Sequence, residues 1–593
     1  MNKTRVKYSP FIALLLLIAQ AGFSIPAGGR HVLFSEGNTD YQIVVDANAS
    51  VGEKRAAGEI AKYLGEISGA DFGIVNESGK ADAEIVVGHA AASKLIELPK
   101  PDGKDEGFRI FNQGKRIFIV GGEEHGTLYG IYAFLEEFLG CRWYTSKVAV
   151  VPERDSFGFD EIDIRQKPAI QFRSVDYVDY WLPEVAVPNK NNAQFHGTQA
   201  SPYIEQMWLE HSFRFFVPAD ECFGTHPEYF SLIDGERQKE VVRSDGRKMG
   251  TQLCLTNPDV LKRSIEGLRK YIREHPQYTV YNIAQNDNKN PCQCENCQKI
   301  VKREDAESGL MLWFVNQVVE AVEDEFPGKR FATFAYQYTR QPPRKIRPHK
   351  DLIIVLCSIE CDYSHPFDHP NNVSFLEDLR NWQDLTDNIL IWDYVVNFRH
   401  YFLPHPNFNV LQKNIQILRD AGVAAVLEQA NGLGWGGEFG GLRGWVLAKL
   451  LWNPDADMRA LIEDYINGYY QKSAPHILQY FDLVQSLATE DSFITYATKL
   501  DNPIFTSGFL EKANGIFDKA EASADNEEIL HRVEVARLGV IYMNLMTDLG
   551  NSDKKAELCR LVEITSREKI VWSSEGGTME KLVEKLRREI DGE

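Results

Sequence analysis

Between about residues 165 and 450 the sequence alternates amphipathic helices with short strands that are apolar throughout, and this alternation constrains the fold most strongly. One helix begins near Asn257, a favoured N-cap, and places Leu261, Ile265 and Leu268 on one face before the strand "YTVYNIAQ". The later strands read "RFATFAY", "DLIIVLCSIE", "NILIWDYVV" and "VAAVLEQ". Such strands are typical of a parallel sheet buried on both faces. About eight of them in roughly 285 residues predict a TIM (β/α)8 barrel, with a doubly wound sheet as the alternative.

Two segments of different character flank the barrel. From residue 30 to 160, runs such as "YQIVVDA" and "RIFIVGG" alternate with helices, which predicts a small α/β domain. After residue 455 the strands stop, and "MRALIEDYINGYYQ" and "EEILHRVEVARLGVIYMNLM" have the pattern of amphipathic helices. The predicted organisation is therefore an α/β domain at 30–160, a barrel at 165–455 and a helical domain at 456–593.

The first residues have the pattern of a secretory signal peptide. Lys3, Arg5 and Lys7 precede the apolar run "FIALLLLIAQAGF", which is too short to span a membrane, and small residues follow it. A cleaved signal over residues 1–25 predicts a secreted or periplasmic protein without membrane insertion. The formal net charge of −20 argues against nucleic acid as a partner, because phosphate binding requires a basic face.

Polar residues recur where the predicted barrel strands end, and this is where TIM barrels carry their chemistry. These strand-end residues are Gln285, Asn286 and Asp287 after the fourth strand, Glu360 after the sixth, Asp393 in the seventh and Glu428 at the end of the eighth. The run "FRFFVPAD" is a candidate for the third strand, and Asp220, Glu221 and His226 follow it.

A single carboxylate after a strand is commonly a helix cap or a solvated loop residue. Glu360 and Glu428 differ from this pattern, because each ends an apolar run and glutamate is not a favoured cap. Burial at such a position would raise the pKa of the carboxyl group, as a general acid requires.

Aromatic residues gather near the same strand ends. Bulky side chains also pack the rims of barrels, but aromatic rings beside several carboxylates indicate a carbohydrate cleft, because rings stack on sugars while polar groups bind the hydroxyls. The predicted substrate-binding residues are Gln285, Asn286, His226, Tyr336, Asp393, Tyr394 and Trp435. Glycoside hydrolysis needs a proton donor and a second group that handles the developing oxocarbenium charge, and two carboxylates can provide both.

Cys292, Cys294 and Cys297 lie close together just after the fourth strand. Their C-x-C-x-x-C spacing has no partner pair at zinc-finger distance and is a weak indication of metal. In an exported protein we expect a disulfide among them or to Cys254, which would stiffen the loop behind Asp287, while metal binding and free thiols remain alternatives. No metal or other cofactor is predicted.

Several motifs in order carry a family resemblance. They are "GTLYGIYAFLEEFLGCRWY", "HPEYFSLIDGER", "QLCLTNPDV", "QNDNKNPCQCENC", "SIECDYSHP" and "LEQANGLGWGGEFGGLRGWVLAKLLWNP". Together they resemble the family known as domain of unknown function 4838, whose members resemble glycoside hydrolase family 163. This resemblance implies endo-β-N-acetylglucosaminidase activity on complex N-glycans. The N-terminal segment is similar to the domain that precedes the barrel in α-glucuronidases and β-hexosaminidases.

The resemblance also bears on the catalytic groups. Substrate-assisted hexosaminidases place an Asp-Glu pair after the fourth strand, whereas the matching "QND" has one acidic residue, Asp287. Glu360 is therefore the predicted acid/base, with Glu428 and Asp287 as the next candidates.

The predicted function is that of an exported glycoside hydrolase that cleaves β-linked N-acetylglucosaminides in complex glycans with retention. One alternative is an α-glucuronidase-like hydrolase of plant xylan, for which Arg173, Arg340 and Arg399 are candidate ligands of a uronate carboxylate. The other alternative is a non-catalytic glycan-binding protein.

Overall fold

The structure, a computed structural model, describes Thr4–Arg5 and residues 30–79, 83–100, 102, 104–122, 124–195, 201–242 and 248–592. Thr4–Arg5 forms a two-residue strand parallel to Val148–Val150. The rest of the predicted signal peptide, residues 1–25, lies outside the described residues. Among the helices described, none combines the length and the apolar character that crossing a membrane requires.

A mixed six-stranded sheet forms the core of the N-terminal region. In spatial order its strands are Asp163–Gln166, Phe108–Gln113, Arg116–Gly121, Glu84–Val87, Gln42–Val45 and Ile74–Val75. The helices of this region are Val51–Ser68, His89–Ala92 and Gly126–Glu137. Two antiparallel pairs join His31–Ser35 to Ser156–Phe159 and Arg142–Trp143 to Val148–Val150. Ser50 and Glu53 form a capping box that starts the first helix.

Eight parallel strands form the predicted barrel. They are β1 (Phe172–Asp176), β2 (Ala193–Gln194), β3 (Glu205–Trp208), β4 (Val280–Asn282), β5 (Arg330–Ala335), β6 (Leu352–Cys357), β7 (Ile389–Tyr394) and β8 (Ala425–Gln429). Each strand from β2 to β8 pairs with the next, and β8 pairs with β1. The predicted fold class is confirmed.

Asparagine side chains close the gap between β1 and β2, which share no strand ladder in the described residues. Asn192 Oδ1 accepts from the Arg173 backbone N–H at 2.8 Å, and Asn191 Oδ1 accepts from the Val175 N–H at 3.0 Å. The Asn192 N–H donates to the Arg173 carbonyl at 3.2 Å. At this contact between β1 and β2, the seam of the barrel, the asparagines therefore form hydrogen bonds with backbone groups that a regular strand ladder would have paired.

Helices and short hairpins connect the barrel strands. The helices are Pro183–Ala186, Phe213–Phe216, Ala219–Cys222, Pro258–Glu274, Glu295–Glu304, Glu307–Glu320, Val373–Gln383, Phe408–Asp420 and Gly440–Trp452. Short 3-10 turns occupy Val178–Trp181, Pro227–Tyr229, Glu323–Glu325 and Gln337–Thr339. Between β3 and β4, Leu232–Ile233 pairs with Glu236–Arg237 and Glu240–Val242 pairs with Lys248–Gly250.

The C-terminal region is helical, as predicted. Its helices are Met458–Tyr470, Ala474–Gln485, Ser507–Ser523, Glu527–Met546, Lys554–Arg567 and Met579–Asp591, with a 3-10 turn at Gln471–Ser473 and a small hairpin of Trp572–Ser574 and Gly577–Thr578.

The third strand was predicted in the wrong place. The run "FRFFVPAD" is not a strand, because Phe213–Phe216 is a helical turn that buries Phe213 and Phe216, three residues apart, and exposes Phe215. The third strand is Glu205–Trp208 instead. The aromatic run has strong strand propensity, but its burial follows the helical spacing of three to four residues.

Candidate active site

An aromatic wall lines the barrel at the carboxyl ends of its strands. The Phe195 ring, just after β2, lies 4.8 Å from that of Trp392 on β7, and Phe334 on β5 lies 5.5 Å from the same ring. The His211 ring, after β3, lies 5.1 Å from Phe334. Because β2 and β5 are not neighbours of β7, these rings meet inside the barrel. Trp392 and Tyr394, two residues apart, therefore face the barrel axis.

Asp287 extends from the end of β4 to the edge of this wall. Its side chain is about one-fifth exposed at 21%. The Tyr336 hydroxyl donates to Asp287 Oδ1 at 3.2 Å, and His211 Nε2 lies 3.8 Å from the same oxygen. Burial raises the pKa of Tyr336 well above its ordinary value, and the charge of Asp287 adds to this effect. Tyr336 therefore keeps its proton and remains a hydrogen-bond donor to Asp287.

His211 is fixed by the backbone of the same loop. Its Nδ1 lies 2.6 Å from the Gln285 carbonyl, so this nitrogen carries a proton and donates it. Burial lowers the pKa of His211, although the neighbouring charge of Asp287 opposes this. A neutral ring then turns the unprotonated Nε2 toward Asp287, where it can receive a proton. Sequence reasoning missed His211 because the third strand had been placed after it.

Glu360 lies in a turn three residues beyond β6 and borders a polar cleft of about 590 Å³. The expected burial is not found, because 35% of its side chain is exposed. Arg340 Nη1 lies 3.4 Å from Glu360 Oε2, but Arg340 is anchored more closely by Asp378, at 2.7 Å. The charges of Asp287 and, to a smaller extent, Glu360 both raise the pKa of Tyr336.

Asp393 and Glu428 form a buried pair behind the mouth of the barrel, the opening at the carboxyl ends of its strands. They are directly opposite in the β7–β8 register, one residue out of phase with Trp392 and Tyr394, so they point away from the barrel axis. Burial raises the pKa of Asp393 to about 6, and burial together with the charge of Asp393 raises that of Glu428 well above its usual range. The expectation of a raised pKa is thus met at Glu428, which is 1% exposed.

Hydrogen bonds hold Asp393 more firmly than Glu428. Ser358 Oγ donates to Asp393 Oδ1, and the Tyr394 backbone N–H donates to the same oxygen at 2.9 Å. Within the described chain, Glu428 Oε2 is buried without a hydrogen-bond partner. Two buried carboxyl groups this close favour a state in which Glu428 keeps its proton.

Gln285 and Asn286 shape the loop that carries Asp287. Gln285 is fully buried and donates through Nε2 to Thr339 Oγ1 at 2.9 Å. Asn286 donates through Nδ2 to the Thr251 carbonyl at 2.7 Å. Their donors are thus committed to the loop, while Gln285 Oε1 and Asn286 Oδ1 have no partner in the described part of the chain.

His226 and Trp435 make their contacts in other loops. The His226 ring stacks on Tyr229 at 4.6 Å, and its Nδ1 lies 3.0 Å from Glu228. His226 follows a helical segment and not the third strand, so the reason for predicting it as a ligand no longer holds. Trp435 lies in the glycine-rich loop after β8, with the Lys147 ammonium 5.6 Å from its ring centroid.

The predicted disulfide is absent. All nine cysteines of the chain are free, and Cys254 Sγ lies 3.7 Å from Cys294 Sγ and 3.9 Å from Cys297 Sγ. A disulfide requires about 2.05 Å. The expectation was wrong for this structure, although the predicted gathering of these cysteines behind Asp287 is found.

Arg173 is not placed to bind a uronate. It is 1% exposed, and its Nη2 donates to Glu106 at 2.6 Å from the first residues of β1, at the opposite end of the strand from the mouth. Asp176, at the other end of β1, was not predicted; it accepts a hydrogen bond from Trp181 Nε1 at 3.1 Å. Asp176 is the last residue of β1, so its position at a strand end was the signal that could have found it.

Comparison with known families identifies the chain. The family described as "Domain of unknown function (DUF4838)" matches residues 143–482, more than half of the 593 residues. The chain belongs to the DUF4838 family. In this DUF4838 protein, residues 37–134 also match "Glycosyl hydrolase family 67 N-terminus". The resemblance to DUF4838 is confirmed, whereas that to glycoside hydrolase family 163 stays a prediction.

Solved structures resemble this DUF4838 protein in fold at low sequence identity. A family GH115 4-O-methyl-α-glucuronidase, BtGH115A, is 11% identical, with a TM-score of 0.56 over 92% of this chain and 78% of that one. CpGH89 from Clostridium perfringens, solved with GlcNAc-α-1,4-galactose, is 11% identical, with a TM-score of 0.50 over 87% of this chain and 64% of that one. Comparison with curated proteins gives no match.

Proposed function

We propose that this DUF4838 protein is a glycoside hydrolase that cleaves β-linked N-acetylglucosaminides in complex glycans with retention. The observation that carries the proposal is Asp287, which lies beyond the end of β4 and accepts a hydrogen bond from the Tyr336 hydroxyl at 3.2 Å. Asp287 lies beside an aromatic wall that suits the apolar face of a sugar, and Glu360 follows β6 and borders the polar cleft. The family match of the N-terminal region adds support.

Glu360 is the proposed acid/base. A leaving group and an incoming water must both reach this residue, and Glu360 is open to a cleft large enough for sugar units. Arg340 stays paired with Asp378 if Glu360 leaves it, so Glu360 can turn toward a substrate without stranding a cation.

Asp287 is the proposed second group. The Tyr336 hydroxyl donates a hydrogen bond to its Oδ1, which suits a residue that orients a substrate acetamide or faces the oxocarbenium charge. His211, held by the Gln285 carbonyl, places its Nε2 3.8 Å from Asp287 Oδ1, where it can receive a proton. Asp393 and Glu428 lie on the face of β7 and β8 that points away from the barrel axis.

The assignment can be tested by comparing Glu360→Gln, Asp287→Asn and Glu377→Gln. Glu377 borders the same cleft but lies on a helix, so it is the matched control. Loss of the acid should lower turnover of a natural glycan by about a hundred- to ten-thousand-fold, with a much smaller loss on an activated aryl glycoside. Asp287→Asn should impair both substrates, and Glu377→Gln neither.

The substrate requires a separate experiment. We expect defined N-glycans to release N-acetylglucosaminides of retained anomeric configuration, measured by mass spectrometry and NMR, and glucuronoxylan fragments to remain intact. Cleavage of glucuronoxylan alone would establish the α-glucuronidase alternative. Binding of N-glycans without any turnover, unchanged by Glu360→Gln, would indicate a glycan-binding protein.

A further inference from the structure

Four cysteine side chains converge beside the loop that follows β4. Cys292 and Cys294 come from that loop, Cys297 from the first turn of the helix Glu295–Glu304, and Cys254 from the segment before Pro258–Glu274. Their Sγ atoms all lie within 4.8 Å of one another, and all but the partly exposed Cys294 are buried.

The separations match a tetrahedral thiolate site. Sulfur atoms about 2.3 Å from a tetrahedral zinc ion lie about 3.8 Å from one another. Cys254 Sγ is 3.7 Å from Cys294 Sγ and 3.9 Å from Cys297 Sγ. The fourth ligand is forty residues from Cys294 in sequence, which explains why the C-x-C-x-x-C spacing gave a weak indication of metal.

The surroundings suit a negatively charged cluster. The Leu232 backbone N–H donates to Cys292 Sγ at 3.4 Å, and Arg237 Nη1 donates to the same sulfur at 3.6 Å. The Thr256 hydroxyl lies 3.2 Å from Cys297 Sγ. Four thiolates around one divalent ion carry an excess of negative charge, and outer donors of this kind stabilise such sites.

We propose that Cys254, Cys292, Cys294 and Cys297 bind one structural zinc ion. Sets of four thiolates favour zinc among the common divalent ions. Because the protein supplies all four ligands, no position is left open for substrate or water, and the site is structural and not catalytic.

The ion would join segments that support the mouth. Gln252, two residues before Cys254, donates through Nε2 to the carbonyls of Asn286 and Asn288 at 2.6 and 2.8 Å, and its Oε1 accepts from the Asn286 N–H at 2.9 Å. Cys292 and Cys294 hold the other end of the same loop. Zinc would thus fix the backbone on both sides of Asp287. This role does not depend on which reaction the active site catalyses.

Zinc content and thiol count test the proposal on the purified full-length protein. After removal of any affinity tag, mass spectrometry of the elements should find about one zinc per chain. Protein denatured with a chelator but without reductant should show all nine thiols. Cys297→Ser and Cys294→Ser should lose the zinc, while Cys559→Ser, a change at an exposed cysteine outside the cluster, should keep it.

Two further measurements keep the test decisive if a variant folds poorly. Chelation of the wild-type protein should lower its melting temperature and speed hydrogen exchange in residues 283–290. Cobalt refilling should give the visible absorption of a tetrahedral tetrathiolate. A disulfide peptide containing two of these cysteines, with two fewer thiols and no zinc, would overturn the proposal, as would stoichiometric iron or zinc that persists in Cys294→Ser and Cys297→Ser.

Discussion

Replacing Asp393 by asparagine should stabilise the protein at neutral pH, although the position is buried and hydrogen-bonded. Burial raises the pKa of Asp393 to about 6 in the folded chain, whereas an aspartate in an unfolded chain titrates at about 3.9. Between these values the unfolded chain releases a proton that the folded chain retains. Stability is therefore lost as the pH rises from about 4 to 6.

The size of the effect follows from the difference between the two pKa values. About two pH units at roughly 1.4 kcal/mol each correspond to about 3 kcal/mol above pH 6. Asparagine carries no charge, and its Oδ1 can still accept from Ser358 and from the Tyr394 N–H. For a barrel-sized unit with an unfolding entropy of about 0.6 kcal/mol/K, the gain is about 5 °C in melting temperature.

Asp362 provides a contrasting control. It is also buried, but hydrogen bonds from Ser364, Asn371 and His365 outweigh the effect of burial and lower its pKa. Asp362→Asn should therefore destabilise the protein at pH 7. Calorimetric melting at several pH values from 4 to 7 gives the comparison. The reasoning fails if Asp393→Asn melts below wild type at pH 7, or if its difference from wild type does not grow across this range.

Three other substitutions test the contact between β1 and β2 and the backbone. Asn191→Ala removes the acceptor of the Val175 N–H and should cost about 1–3 kcal/mol, with faster hydrogen exchange at Val175; unchanged exchange would contradict the role of the seam. Gly515 lies in a helix with open space around it, so Gly515→Ala should raise the free energy of unfolding by about 0.5–1 kcal/mol. At Gly121 a Cβ would lie 2.5 Å from backbone, so Gly121→Ala should cost about 3 kcal/mol or more in thermal unfolding; equal melting of the two alanine variants would refute this.

The barrel could be predicted because its apolar strands and amphipathic helices alternate regularly along the sequence. β3 was misplaced because strand propensity and helical burial compete within four residues, and the helical spacing of Phe213 and Phe216 was decisive. Such competition is settled by tertiary packing, which a single sequence does not contain.

The site was harder to predict than the fold because adjacent strand-end residues point in opposite directions. Trp392 faces the axis and Asp393 faces away, and which of the two does so depends on strand register. Likewise, the convergence of Cys254 with Cys292 depends on a loop conformation that sequence spacing does not encode. Residue types indicated which strand ends to consider, but the orientation of each side chain required the structure.

Hydrogen bonds between Glu106 and the barrel make the N-terminal region and the barrel depend on each other. Glu106 binds both Arg173 Nη2, at 2.6 Å, and Asn192 Nδ2, at 2.8 Å, beside the seam of the barrel. A truncated chain beginning at the barrel would leave Arg173 buried without its carboxylate. Because residue 106 leaves the ribosome before residue 173, the N-terminal region can fold first and present this carboxylate as the barrel closes. In evolutionary terms, the two regions are therefore expected to be inherited together and not exchanged independently.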